Sequence, residues 1–333
     1  MPFVAVTRGP RVESIHDVAA CASDIGGNVV LALGDIDEPF FLRSAAKPFI
    51  AAAVVLAGAA ERFALDDREL AVMAASHGGE PFHIDAVRSI LAKAGATVND
   101  LACGAHAPAY EPAAAALAAS GARPSALHNN CSGKHAGILA LCRMLDAPLA
   151  GYLDADHPAQ RAILGFCERV SDERFGSERL AVDGCGIPAY ATSLRRAARS
   201  FARLATLEAL APPDAAALQR VRRAMVAEPA YVGGTGRFDT DLMAAADGAI
   251  ACKAGAEGVH GSALIGQGLG LVLKVIDGSR RAAPPAATAL LRQLCALDDR
   301  QAAALETHAR VPVRNVAGRI VGEVAARSFA RSN

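Results

Sequence analysis

The segment Arg43-Ser44-Ala45-Ala46-Lys47-Pro48 sets a hydroxyl and an amine three residues apart, between the strand-like Pro39-Phe40-Phe41-Leu42 and the apolar Phe49-Ile50-Ala51-Ala52-Ala53-Val54-Val55-Leu56. At the start of a helix, residues three apart share one face, so Ser44 and Lys47 can meet while the rest of the helix is buried behind them. An apolar setting disfavours the ammonium form, which lowers the lysine pKa and frees a lone pair to take the serine proton. The same four residues also fit a helix-starting serine followed by a lysine that snorkels to water. Two further segments carry the same pair of groups. Ser76 follows the apolar Ala71-Val72-Met73-Ala74-Ala75 and precedes the turn-forming His77-Gly78-Gly79. Lys253 closes the apolar Ala249-Ile250-Ala251-Cys252 and precedes Ala254-Gly255-Ala256-Glu257-Gly258, where glycines let a ligand approach the backbone. Taken singly, these are a capping serine and a solvated strand-end lysine.

A second kind of chemistry resides in the cysteines. Cys131 lies in His128-Asn129-Asn130-Cys131-Ser132-Gly133-Lys134-His135, and Cys185 in Asp183-Gly184-Cys185-Gly186-Ile187-Pro188, each a glycine-bearing loop ahead of an expected helix. Two thiols with a nitrogen donor suit a shared soft metal such as zinc, and leave room for water or substrate. By chemistry alone His135 is the nitrogen ligand; the alternative is two small cysteines buried in tight loops. Cys21, Cys103, Cys142, Cys167, Cys252 and Cys295 read as packing.

These groups need a scaffold. Phe3–Val6, Ser14–Ala19 and Val29–Leu33 read as antiparallel strands, with a turn at Ser23–Gly27. Strands return at Ala249–Lys253, Leu269–Ile276, Val313–Val316 and Ile320–Val324, with a helix near Ala287–Leu297. Between them the chain is mainly helical: from a capped start at Asp66, then Pro81–Lys93, Gly133–Met144, His157–Val170 and Ala189–Leu204. The Gly-rich Glu228–Asp241 reads as a rim loop capping a helix from Asp241. The expected fold is α+β, an antiparallel sheet from N- and C-terminal strands covered by helices, plus a mainly helical lobe. One catalytic domain spans 1–333, with its sheet lobe at about 1–60 and 245–333 and its helical lobe at about 61–244.

With 333 residues, 52% of them hydrophobic and 20% charged, the chain can bury a large core. Thirty-four basic residues balance 34 acidic ones and only 5% of residues are aromatic, which argues against a phosphate-tracking groove or base-stacking platforms. A small-molecule partner is expected, with no nucleic acid. The longest apolar run, Phe49 to Ala60, is shorter than the roughly 20 residues that span a bilayer. Met1–Gly9 lacks the regions of an export signal, so a cytoplasmic protein is expected, its eight cysteines free or metal-bound.

Ser-x-x-Lys, a serine in a turn and a lysine on a late strand follow one another as in serine β-lactamases and penicillin-binding proteins. Gly78 and Ala254 depart from that pattern, which has Asn and Thr there. As a set, Arg43–Phe49, Ser76–Glu80, His128–His135, Val182–Pro188, Gly236–Thr240 and Lys253–Gly258 make the chain similar over nearly its whole length to the rhizobial-type L-asparaginase family (asparaginase II, thermolabile type, class 3). That resemblance implies hydrolysis of L-asparagine to L-aspartate and ammonia on a fold similar to serine β-lactamases and glutaminases, in a homodimer. It implies two Ser–Lys pairs, Ser44 with Lys47 and Ser76 with Lys253. It also implies zinc held by Cys131, Lys134 and Cys185, so that Lys134 displaces His135 as the nitrogen ligand; such an amine must be neutral. Arg43, His135 and Asp183 would line the site. Rival readings are a glutaminase or broader amidase, since one methylene gives only ~1–3 kcal/mol of discrimination; a penicillin-binding-like esterase; or a zinc-dependent amino-acid-binding protein without turnover.

Overall fold

The strand Arg11–Ser23 begins with exposed positions and ends in Val18-Ala19-Ala20-Cys21-Ala22, all buried, so its second half must be covered on both faces. It is central to an antiparallel sheet. The computed structural model describes residues 3–327; Met1 and Pro2 lie outside them. The chain divides into two compact units, the first comprising Met1–Ala45, Thr192–Thr206 and Asp241–Asn333. In sheet order its strands run Arg310–Arg314, Ile320–Arg327, Phe3–Arg8, Arg11–Ser23, Leu269–Val275, Val259–Leu264 and Ile250–Ala254, with Val29–Leu33 paired to the end of Arg11–Ser23. N- and C-terminal strands therefore share one sheet. The helices Leu194–Thr206 and Ala283–Gln293 pack on it, the first through Ala197, Ala198, Phe201 and Leu204. Pro284 and Pro285 sit in the first turn of the second, where a missing N–H costs nothing.

The second unit, Ala46–Ala191 with Leu207–Thr240, is mainly helical. Lys47–Leu56 packs against Pro158–Ser171, Pro212–Ala227 and Ser132–Met144. Asp66 and Glu69 form a reciprocal capping box that starts Asp67–Met73. That helix crosses the start of Ser132–Met144 so closely that a Cβ on Gly133 would lie 2.1 Å from the Val72 carbonyl oxygen. No described helix is long and apolar enough to cross a membrane.

Four local readings are corrected. Pro188–Thr192 is a strand, paired with Leu180–Val182, and the helix begins only at Leu194. The alanines there suggest helix, but pairing of Leu180 with Tyr190 and of Val182 with Pro188 overrides that preference. The strand Val259–Leu264, buried throughout, escapes detection because a fully covered strand lacks alternation. The helix expected from Asp241 starts at Phe238. Cys295, expected to pack, is exposed.

Gly133 is the fold's most position-sensitive link to the chemistry, since it precedes Lys134. In an exposed helix Gly→Ala stabilises by about 1 kcal/mol. Gly133→Ala is expected instead to destabilise by about 2–3 kcal/mol, because the crossing must open; a urea denaturation curve beside that of the parent protein reads the sign.

Candidate active site

Lys47 opens its helix with Pro48 in the first turn, and its side chain is 1% exposed. A buried amine needs partners. They come from the turn that ends the Asp67–Met73 helix: Lys47 Nζ donates to the Ala75 carbonyl at 2.5 Å and to Ser76 Oγ at 3.0 Å. Its side chain also hydrogen-bonds the Cys131 thiol. The turn is itself pinned, since the Ser76 N–H donates to the Val232 carbonyl and that of His77 to the Asn130 carbonyl. His77 Nδ1 accepts from the Gly79 N–H at 3.1 Å, so Nε2 carries the proton and donates to Ser132 Oγ at 2.9 Å, which donates on to the Leu127 carbonyl. Burial first, then the charges of His83 and Lys47, hold the His77 imidazole well below its usual pKa and so neutral.

Cys131 precedes the helix Ser132–Met144, its N–H donating to Asn129 Oδ1 at 2.8 Å. One turn on, Lys134 is buried and its Nζ donates to Cys185 Sγ at 2.8 Å. Cys185 sits in the turn between the strands Leu180–Val182 and Pro188–Thr192. That turn is closed by bonds from the Asp183 N–H to the Ile187 carbonyl and from the Gly186 N–H to the Asp183 carbonyl. Asp183 Oδ1 accepts from the Gly184 N–H, and its other oxygen lies 3.9 Å from Cys185 Sγ. A hydrogen bond from Cys185, with Lys47 and Lys134 nearby, lowers the Cys131 thiol well below its usual pKa, and the Cys185 thiol is raised in return. Burial alone would lower Lys134; the charges of Cys131 and Cys185 outweigh it and raise the amine instead.

Two thiols and an amine, linked through Cys185 and out of water, fit a soft divalent ion such as zinc. The expected depression of the Lys134 pKa is not found: facing a thiolate, Lys134 is an ammonium. A metal bound here would have to displace its proton. Among the described residues, no group of three or more His, Cys, Asp or Glu side chains could hold a metal ion.

Of the other sequence candidates, Arg43 and Ser44 lie in the sheet unit, in a 3₁₀ turn that leads into the helix at Lys47. Arg43 has φ +52°, a left-handed conformation costly for a residue with a Cβ. Lys253 is buried at the end of the strand Ile250–Ala254, its Nζ donating to the Ala254 carbonyl at 2.8 Å. Two residues on, Gly255 approaches the Ser44 turn so closely that a Cβ would lie 2.9 Å from the Leu42 carbonyl oxygen. His135, fully buried, has Nδ1 2.7 Å from the Tyr152 hydroxyl.

Sequence reasoning passes over Glu80, Thr235, His83 and Tyr152. The buried Glu80 carboxylate accepts from the Thr235 N–H at 2.8 Å and from its hydroxyl at 2.7 Å, which ties the Gly-rich loop to the turn after Ser76. Its position beside His77-Gly78-Gly79 is the available signal. Tyr152 has none, because only the tertiary fold brings it to His135.

The sequence model of one family, L-asparaginase II, matches residues 4–326. No curated protein matches. Eleven chains of solved structures match. One, described as "Crystal Structure Analysis of Mglu", is similar to this chain at 15% identity and a TM-score of 0.38, over 84% of this chain and 67% of its own.

His83 yields a pH prediction. Its Nδ1 accepts from the Glu80 N–H and its Nε2 faces the Ala230 carbonyl, and burial pushes its pKa down to about 4. The folded state therefore holds fewer protons than the unfolded chain between about pH 4 and 6.5, so this contribution is intact above 6.5 and is lost as pH falls towards 4. Over that window unfolding free energy should fall by up to about 1.4 kcal/mol per pH unit from this group, and His83→Gln should make the slope shallower by that amount. Denaturation curves collected at several pH values would reveal an unchanged slope.

Proposed function

The chain belongs to the L-asparaginase II family, and from that premise we propose that it hydrolyses the side-chain amide of L-asparagine to L-aspartate and ammonia through an acyl-enzyme on Ser44. The observation that carries the reading is the buried Lys47 amine, bonded to Ser76 and Cys131 in the same cluster as Lys134 and Cys185. Ser44 Oγ attacks the amide carbon, and its proton passes to Lys47 in the neutral form. Backbone N–H groups at the start of that helix hold the oxyanion. The C–N bond breaks as Ser76 hands its proton to the leaving nitrogen and is reprotonated by Lys47 Nζ, 3.0 Å away, which thereby passes on the proton taken from Ser44. Water then cleaves the ester and restores Ser44. Lys253 enters from the sequence pattern, as the second amine of a Ser–Lys pair with Ser76.

Cys131, Lys134 and Cys185 would hold the zinc that the family pattern implies; bound there, zinc would supply positive charge that positions the substrate rather than generates hydroxide, because the nucleophile is already a serine. Arg43, His135 and Asp183 complete the substrate contacts. A β-lactamase-like arrangement belongs to the same proposal, supported by the sheet that N- and C-terminal strands share. Homodimer assembly in the cytoplasm is the setting the resemblance suggests.

Ammonia release from L-asparagine and from L-glutamine, with and without added zinc, tests the reading. Release from asparagine is expected, and Ser44→Ala and Lys47→Met should each lower kcat by at least ~10²-fold. Silence on both amides with zinc present would sink the assignment, and turnover retained by Ser44→Ala would move the nucleophile elsewhere.

A further inference from the structure

Resting on that reading of the site, we propose that Tyr152 is a positioning residue that fixes His135 as its Nε2–H tautomer, so that His135 offers a buried N–H donor to a substrate acyl or carboxylate oxygen.

Tyr152 is 2% exposed, and its hydroxyl has two partners: it accepts from the Ala102 N–H at 2.9 Å and lies 2.7 Å from His135 Nδ1. The Ala102 bond uses an oxygen lone pair. Among the described residues the hydroxyl proton then has one hydrogen-bond acceptor, His135 Nδ1, and a nitrogen that accepts there leaves the ring proton on Nε2. The opposite arrangement, with Nδ1–H donating to the hydroxyl oxygen, would leave two buried groups unmet, the hydroxyl proton and a bare Nε2. The first arrangement leaves one. That one is Nε2–H, buried and without a partner among the described residues. An unmet donor at 0% exposure marks the place of an acceptor that arrives with a ligand.

The donor belongs to the cluster already described. His135 follows Lys134 in the chain, and the charges of both Lys134 and Lys47 bear on its ring. Tyr152 is held from behind by Gln160, which donates to its carbonyl at 2.8 Å. Its neighbour Leu153 packs against the Cys185 turn, where a Cβ on Gly186 would lie 2.9 Å from Leu153 Cδ1.

The test is ¹⁵N NMR of the histidine-labelled full-length protein, with the His135 signals identified by their loss in His135→Gln. Expected are a proton-bearing Nε2, a proton-free Nδ1, and a shift of the Nε2–H resonance on adding L-aspartate. Tyr152→Phe, which keeps the ring and removes the hydroxyl, should mix the tautomers and lower kcat/KM for L-asparagine about tenfold or more. In the His135→Gln background the same change should add no further loss, whereas a merely structural Tyr152 would still exact one. An Nδ1–H tautomer in the parent protein, an Nε2–H signal indifferent to aspartate, or a Tyr152→Phe variant with parental kinetics would each overturn the proposal. A parent protein that releases no ammonia from asparagine overturns the functional reading instead, and the tautomer with its response to aspartate then decides this one alone.

Discussion

The buried amine of Lys47 imposes the strictest requirement on the helical unit. A lysine kept from water needs acceptors in fixed places, and no flexible loop can guarantee them. The solution is a turn frozen from several sides: its amides are tied to Val232 and Asn130, its histidine to Ser132, and its following carboxylate to Thr235. Each of these bonds serves the placement of one carbonyl and one hydroxyl. The close passage of two helices at Gly133 then brings Cys131 and Lys134 to the same spot.

The neighbouring cluster shows how charge is balanced where solvent cannot help. Lys134 and the two thiols share protons so that a cation faces an anion, and the neighbouring His135 stays neutral because burial, and then the charge of Lys134, disfavour further positive charge. Apolar surroundings alone would have favoured a neutral Lys134. Its thiol partners reverse that sign.

Sequence patterns of local origin were legible. The capping residues at Asp66 and Glu69, the helix Pro81–Lys93 and the strands near both ends of the described chain follow from short-range periodicity and caps. The motif residues near Ser76, Cys131 and Cys185 were legible for a related reason, since polar and glycine-rich interruptions of apolar runs are unusual. What stayed hidden depends on pairing across the chain. Pro188–Thr192 is a strand because Leu180–Val182 lies beside it, Val259–Leu264 because it pairs with a strand on each side, and the Lys47–Ser76 contact joins the start of one helix to the turn after another. Spacing along a chain carries no record of such partners. Lys134 illustrates the limit well, because its position is visible in the sequence and its charge state is not.

The Cys185 turn has a consequence in the physics of chain closure. The side chains that meet there come from Lys47, from Cys131 and Lys134, and from a β-hairpin turn much farther along. Bringing such distant segments to one point costs loop entropy, which the packing of the helical scaffold around them helps to offset. Whatever grips these side chains together therefore also fastens a hairpin to a helix start, and its grip is felt as resistance to opening of the whole helical unit.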